Sequence, residues 1–209
     1  ERDDDVEPSG APRLRLMVLT SDKGWPYTLH APHRAGNYLC VNCEVERVWQ
    51  IVLDDLTKWF SPDPGAHFEP ERCVLIGTPG TGNSMAAGSY LLYQLLHYDA
   101  EKLQVVVHCF GIKMYVFDKT TETVTRYMNK SMMIKFVKEL SRREMKGYII
   151  YDVGGRLDIP SPCLPPGGWG MLVVATPETT SYIHWANEKR AVRIIMNCPD
   201  ESDVKAMCA

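Results

Sequence analysis

Eight consecutive residues, Gly77-Thr78-Pro79-Gly80-Thr81-Gly82-Asn83-Ser84, form the stretch of this sequence best suited to hold an anion. They follow an apolar run, Cys73 to Ile76, and lead into residues with helical spacing. Glycines at 77, 80 and 82 let successive backbone N–H groups turn inward, and the positive end of a following helix adds to the same pocket. The pattern is G-x-x-x-x-G-K-[ST], the phosphate-binding loop, with Asn83 in place of the lysine. A neutral, shorter amide neither reaches the β- and γ-phosphates as a cation nor offsets charge developing in phosphoryl transfer. Ser84 is placed to ligate a Mg²⁺ ion bridging those phosphates. The implied ligand is ATP or GTP with Mg²⁺, and the lost lysine makes hydrolysis weak or vestigial.

Two further residues belong to this chemistry. The run 147–152 is apolar and ends in Asp152, the type of strand-terminal carboxylate that holds Mg²⁺ in a P-loop nucleotidase, although acids at strand ends are common. Val153 follows it where many ATPases place a water-polarising glutamate. The run 171–175 ends in Thr176, whose hydroxyl could sense a γ-phosphate or could simply serve a turn before Pro177.

The elements that must present these residues follow from patterning. The chain of 209 residues is 45% hydrophobic and 23% charged, a composition for one folded unit with an extension. From residue 71 onward, short apolar runs at 73–76, 103–109, 148–152, 171–175 and 193–197 alternate with helical patterns at 84–97, 130–146, 178–187 and from 200. That alternation predicts an α/β, three-layer P-loop NTPase-like fold with a mostly parallel sheet. Runs at 114–118 and 124–127 read as an inserted hairpin. Residues 13–70 read as an N-terminal accessory segment with a strand at 14–19, a loop at 24–37, and a helix capped by Asn42 and stopped at residues 61–65. Residues 1–12 read as a disordered acidic lead-in, and the run from Pro199 reads as a helix cut short, a domain truncated at its C-terminus.

Other groupings carry less chemistry. A net charge of −3 gives no bulk attraction for nucleic acid, and no apolar run approaches the roughly 18 residues that span a bilayer. The 130–146 helix sets Lys130, Lys135, Lys138, Arg142, Arg143 and Lys146 opposite Met132, Met133, Phe136, Val137 and Leu140, a phosphate-backbone surface or, more simply, a solvated outer face. Cys40 and Cys43 have the spacing of half a zinc site without a second half, so a plain pair of thiols is the default. His30, His33 and His67 lack spaced metal partners, and no nucleophile elbow occurs. Seven cysteines, several in apolar runs, suit a reducing compartment.

Longer words carry a resemblance. Residues 82–98 (GNSMAAGSYLLYQLLHY), 29–38 (LHAPHRAGNY), 147–153 (GYIIYDV), 168–171 (GWGM) with Val173 and Val174, and 193–199 (RIIMNCP) closely resemble the retrotransposon hot spot protein family of trypanosomes, from about Leu29 to Ala209. The resemblance implies an ATP/GTP-binding P-loop in a large multigene family, found in or around the nucleus, with the cytoplasm as the alternative compartment. It also implies possible chromatin, transcription or RNA partners. The family's loop reads Gly-Lys-Ser where this chain has Gly82-Asn83-Ser84. The alternative reading is therefore a pseudo-NTPase serving as a nuclear protein- or nucleic-acid-interaction module.

Overall fold

The computed structural model describes residues 17–22, 37–61, 68–77, 87–110, 113–153, 158–178 and 180–198. The acidic lead-in, the 24–36 part of the first loop, and the helix expected from residue 200 lie outside them.

The first helix forms for reasons visible in its sequence. In α1 (Cys43–Phe60), the Asn42 side chain accepts from the Val45 N–H at 2.9 Å, and Glu44 and Glu46 occupy the electropositive first turn. Steps of three and four residues bring Val45, Val48, Trp49, Val52, Leu56 and Trp59 to one buried stripe. Ahead of it, β1 (Met17–Thr20) pairs antiparallel with β2 (Tyr38–Val41). β2 has no sequence signature, because four residues running into a helix cap carry too short a pattern; Leu39 and Val41 nonetheless alternate into the core.

A seven-stranded sheet organises the rest. It contains β3 (Arg72–Ile76), β4 (Val105–Phe110), β5 (Lys113–Asp118), β6 (Thr123–Tyr127), β7 (Gly147–Asp152), β8 (Gly170–Ala175) and β9 (Val192–Ile195), in the order β6-β5-β4-β7-β8-β3-β9. The five strands from β4 to β9 are mutually parallel, and the β5–β6 hairpin extends one edge antiparallel. Central strands β7 and β8 are buried at every position, as a sheet covered on both faces requires.

Three layers result. One core holds α1 and α2 (Ser89–His97) against Cys73, Leu75, Val106, Tyr148, Ile150, Leu172 and Val174. The opposite core holds α3 (Lys130–Arg142) and α4 (Ile183–Lys189) against Val74, Val107, Ile149, Met171 and Val173. The chain moves one way across the sheet from β3 to β4 over the α1/α2 face. It moves the other way from β4 to β7 and from β8 to β9 over the α3/α4 face, as a single hand of crossover demands.

The last strand, expected at 193–197, runs from Val192 to Ile195, and three other boundaries differ for visible reasons. α3 stops at Arg142, not residue 146: the Arg143 N–H bonds back to Glu139, Leu140 and Ser141, and Glu144 turns left-handed at φ 62°. α4 begins at Ile183, not residue 178, because residues 177–178 after the strand form a turn and the Ile183 N–H closes on Thr180. The strand expected from 103 begins at Val105, since the Leu103 N–H is spent closing a turn onto Asp99.

Candidate functional site at the carboxyl edge of the sheet

Parallel pairing puts the C-terminal ends of β3, β7, β8 and β9 along one edge. Ile76 pairs with Ala175, and Asp152 with Val174. Beyond the ladder, the Gly77 N–H donates to Ala175 O at 3.3 Å, the Val153 N–H to Val174 O at 2.9 Å, and the Met196 N–H to Ile76 O at 2.8 Å. Gly77, Asp152 and Thr176 therefore end three neighbouring strands, in the order β7-β8-β3. β8 separates Asp152 from Gly77 by two strand spacings, about 10 Å.

Connections from this edge diverge. After β3 the chain leaves over the α1/α2 face, and after its neighbour β8 it leaves over the α3/α4 face. Such a point opens a crevice outside the carboxyl ends of the strands, where ligands of open α/β sheets bind. Gly77 follows the end of β3 and Thr176 the end of β8, the two strands whose connections part. Thr78, Pro79, Gly80, Thr81, Gly82, Asn83 and Ser84 lie outside the described residues, as does the start of the helix expected from 84; helical backbone is described from residue 87 into α2.

Asp152 is 7% exposed. Strand alternation sets it on the same side as Tyr148 and Ile150, the side covered by α2, and so on the side of the helix that follows the glycine-rich octet. Its neighbour in β4 is Phe110, and His108, two residues earlier, is fully buried. Burial pulls the His108 imidazole down to about 3, so it is neutral at physiological pH. His108 and Phe110 were not singled out from sequence; a histidine inside the apolar word Val-Val-Val-His-Cys-Phe was the available signal.

α1 ties down the chain after β9 and the helix α2. Glu44 accepts from the Asn197 N–H at 3.0 Å and pairs with Arg47 at 2.8 Å, while Arg47 donates to Ile195 O at 2.6 Å, fixing the chain as it leaves β9. The Arg47 guanidinium holds the Glu44 carboxyl below the usual carboxylate range. Glu46 accepts from the Tyr90 hydroxyl at 2.6 Å, and Gln94 donates to that hydroxyl at 2.6 Å, tying α2 to α1. On the far face, the Tyr151 hydroxyl donates to Asp158 at 2.6 Å and Lys130 donates to Ile159 O at 2.6 Å, anchoring the segment after β7 to the first turn of α3.

The other candidates are less organised. Cys40 lies in β2 and Cys43 opens α1, and among the described residues no group of three metal-binding side chains forms. Arg142 and Arg143 are exposed and share Glu139, at 3.6 and 3.3 Å. No described helix is long and apolar enough to cross a membrane.

Residues 74–209 match the family described as retrotransposon hot spot protein, P-loop domain, and residues 1–71 match the family described as retrotransposon hot spot proteins N-terminal. No curated protein matches the sequence. Among solved structures, the ORC2 protein of Aeropyrum pernix (ADPNP-ADP complexes) is similar at 12% identity and a TM-score of 0.44, over 85% of this chain and 52% of that one. This chain thus spans about half the length of that protein.

Proposed function

The chain belongs to the retrotransposon hot spot protein family, with that family's P-loop domain from residue 74 onward, and from that premise we propose that it binds a nucleoside triphosphate with Mg²⁺ in the crevice at the carboxyl edge of the sheet and hydrolyses it slowly or not at all. In this reading Gly77 to Ser84 surround the phosphates through backbone N–H groups, Ser84 and Asp152 hold the cation, and Thr176 faces the γ-phosphate from between them. The observation that carries it is the convergence of Gly77, Asp152 and Thr176 on adjoining strand ends at the point where connections diverge. A buried carboxylate on the α2 side, two strands from the loop, suits a metal held between loop and strand.

Asn83 is the reason for slow turnover. Losing one cationic group that acts on the transferring phosphoryl corresponds to about 3–5 kcal/mol of transition-state stabilisation, whereas the backbone amides that bind the ground state remain. Titration of a fluorescent ATP or GTP analogue, with and without Mg²⁺, tests this directly. The Asn83→Lys variant is expected to bind more tightly and to turn over about 100-fold faster or more. If the substitution changes neither quantity, the crevice is not a working nucleotide site.

Asn83 also favours a second reading, a P-loop domain kept as a nuclear interaction module. Its candidate surface is the outer face of α3, where Lys135, Arg142 and Arg143 are exposed. Salt-sensitive retention of nucleic acid that disappears when Arg142 and Arg143 are reversed in charge supports it, and absence of retention at low salt removes it.

A further inference from the structure

The β5–β6 hairpin has two unlike faces. Met114 and Val116 turn to the α3 side, where they are buried, and Tyr127 meets Phe136 there at 5.6 Å between ring centroids. Alternation sends Lys113, Tyr115 and Phe117 of β5, with Val124 and Arg126 of β6, to the other side. On that side the core beneath α1 and α2 extends to β4 and takes in Phe117 only in part, and Tyr115 belongs to neither core. Tyr115 and Phe117 are half-buried, Arg126 is exposed, and Val124 is 59% exposed.

Rings run across this face in a row. Phe110 of β4 lies 6.0 Å from Tyr115, their planes inclined by 18°, and Tyr115 lies 6.4 Å from Phe117, inclined by 34°. The first two rings each have a cation beside them. The Lys113 ammonium sits 5.7 Å from the centre of Phe110, and Arg126 stands opposite Tyr115 in the β5–β6 ladder. Among the described residues the Arg126 guanidinium meets the Met128 sulfur, at 3.2 Å, and no carboxylate. The far end of the row opens into a cavity of about 320 Å³ walled by Leu96, Tyr98, Phe117 and Val124. At about 30 Å³ per small group, it takes about ten heavy atoms, the size of one nucleobase. Its charged rim belongs to the hairpin turn: Asp118 accepts from the Thr120 and Thr121 N–H groups, Lys119 donates to Leu95 O and Tyr98 O, and Glu122 is exposed.

We propose that this face binds single-stranded nucleic acid, its bases lying on the Phe110–Tyr115–Phe117 row and its phosphates beside Lys113 and Arg126. A nucleotide repeats one flat π-surface with one negative charge, and the face repeats one ring with one cation. Aromatic rings accept unpaired bases of any kind, while cations beside them track the backbone. A duplex keeps its base faces stacked on one another, so it has none to lay on the rings. The outer face of α3 is different, since its exposed cations accompany no exposed aromatic residue. This surface depends neither on that helix nor on the nucleotide reading of the crevice.

Fluorescence anisotropy of the full chain with labelled oligothymidylate, oligouridylate and an abasic oligomer of equal length, between about 50 and 200 mM salt, tests it. Both base-bearing strands are expected to bind at least tenfold more tightly than the abasic one. Two phosphate contacts give a log–log salt slope of about −1.4, which Arg126→Gln should bring to about −0.7. Tyr115→Leu, which keeps apolar bulk but removes the ring, should weaken binding about tenfold with an unchanged urea midpoint, and Tyr115→Trp should restore it. A preference for RNA or for DNA supports the proposal either way and names the source. Equal binding of the abasic oligomer, or a Tyr115→Leu variant that binds like the parent, overturns it. So does loss of binding on charge reversal of Arg142 and Arg143 alone, which assigns the strand to α3. Tighter binding of decaproline than of either oligonucleotide overturns it as well, and assigns the face to a peptide.

Discussion

Both edges of the sheet carry a carboxylate that is 7% exposed, and they acquire it by different routes. At the carboxyl edge, Asp152 is delivered by the end of a central strand, and its neighbours Gly77 and Thr176 follow from strand order alone. At the amino edge, Asp55 is carried by α1, a helix otherwise apolar on that stripe, and is held by one backbone N–H. A parallel sheet whose connections diverge makes the first pocket wherever it occurs. The second exists only while a helix keeps a charged residue pressed into the core, so it should be the more sensitive to chemistry at single side chains.

Acid separates the two ends. His108, on the side of Asp152, has its folded value depressed to about 3, so its contribution to stability is intact above its unfolded value of 6.5 and fades as pH falls toward the folded one. Between pH 6.5 and 4 this amounts to a loss of about 3 kcal/mol, and urea unfolding of a His108→Gln variant should show that part of the pH dependence gone. The comparison breaks if His108→Gln and the parent respond to acid alike.

Asp55 has the opposite sign. Its folded value is raised from 3.8 to about 6, so its contribution is complete below pH 3.8 and is lost as pH rises through about 6. Discounted for residual solvation, Asp55→Asn is expected to stabilise the protein at pH 7 by about 1–2 kcal/mol and to flatten the profile between pH 4 and 6. A variant less stable at pH 7 than the parent would mean that the carboxylate is paired, and that the two ends are more alike than described. The smallest effect sharpens the contrast: Tyr148→Phe, which removes the unpartnered hydroxyl but keeps the ring over Gly170, should leave stability within about 1 kcal/mol of the parent, on the stabilising side, by the same urea measurement.

The carboxyl edge was legible because its signals are short-range. Apolar words ending in Gly77, Asp152 and Thr176 mark strands, and a parallel sheet aligns their ends without further information. The Asn42 cap and the apolar stripe of α1 were equally plain. What escaped reading depended on distant partners. Glu44 and Asn197 are 153 positions apart, and Glu46 and Tyr90 are 44 apart, so no local pattern announces either bond. Asp55 lies on the buried stripe but reads in sequence as one of two acids in Leu-Asp-Asp-Leu, and only depth distinguishes it from exposed Asp54. The early end of α3 was hidden for another reason: Glu144 and Lys146 suit a helix, but Glu144 adopts the left-handed turn that closes it.

The shared core of α1 and the sheet has a practical meaning for anyone shortening the chain. The two matched regions meet between residues 71 and 74, which invites a cut there. Trimming away everything before β3 would strip α1 from the core it shares with α2 and with Cys73, Leu75, Leu172 and Val174, opening apolar surface to water, and would unclasp residues 195–197. Such a fragment should clump with itself before it could be asked what it binds.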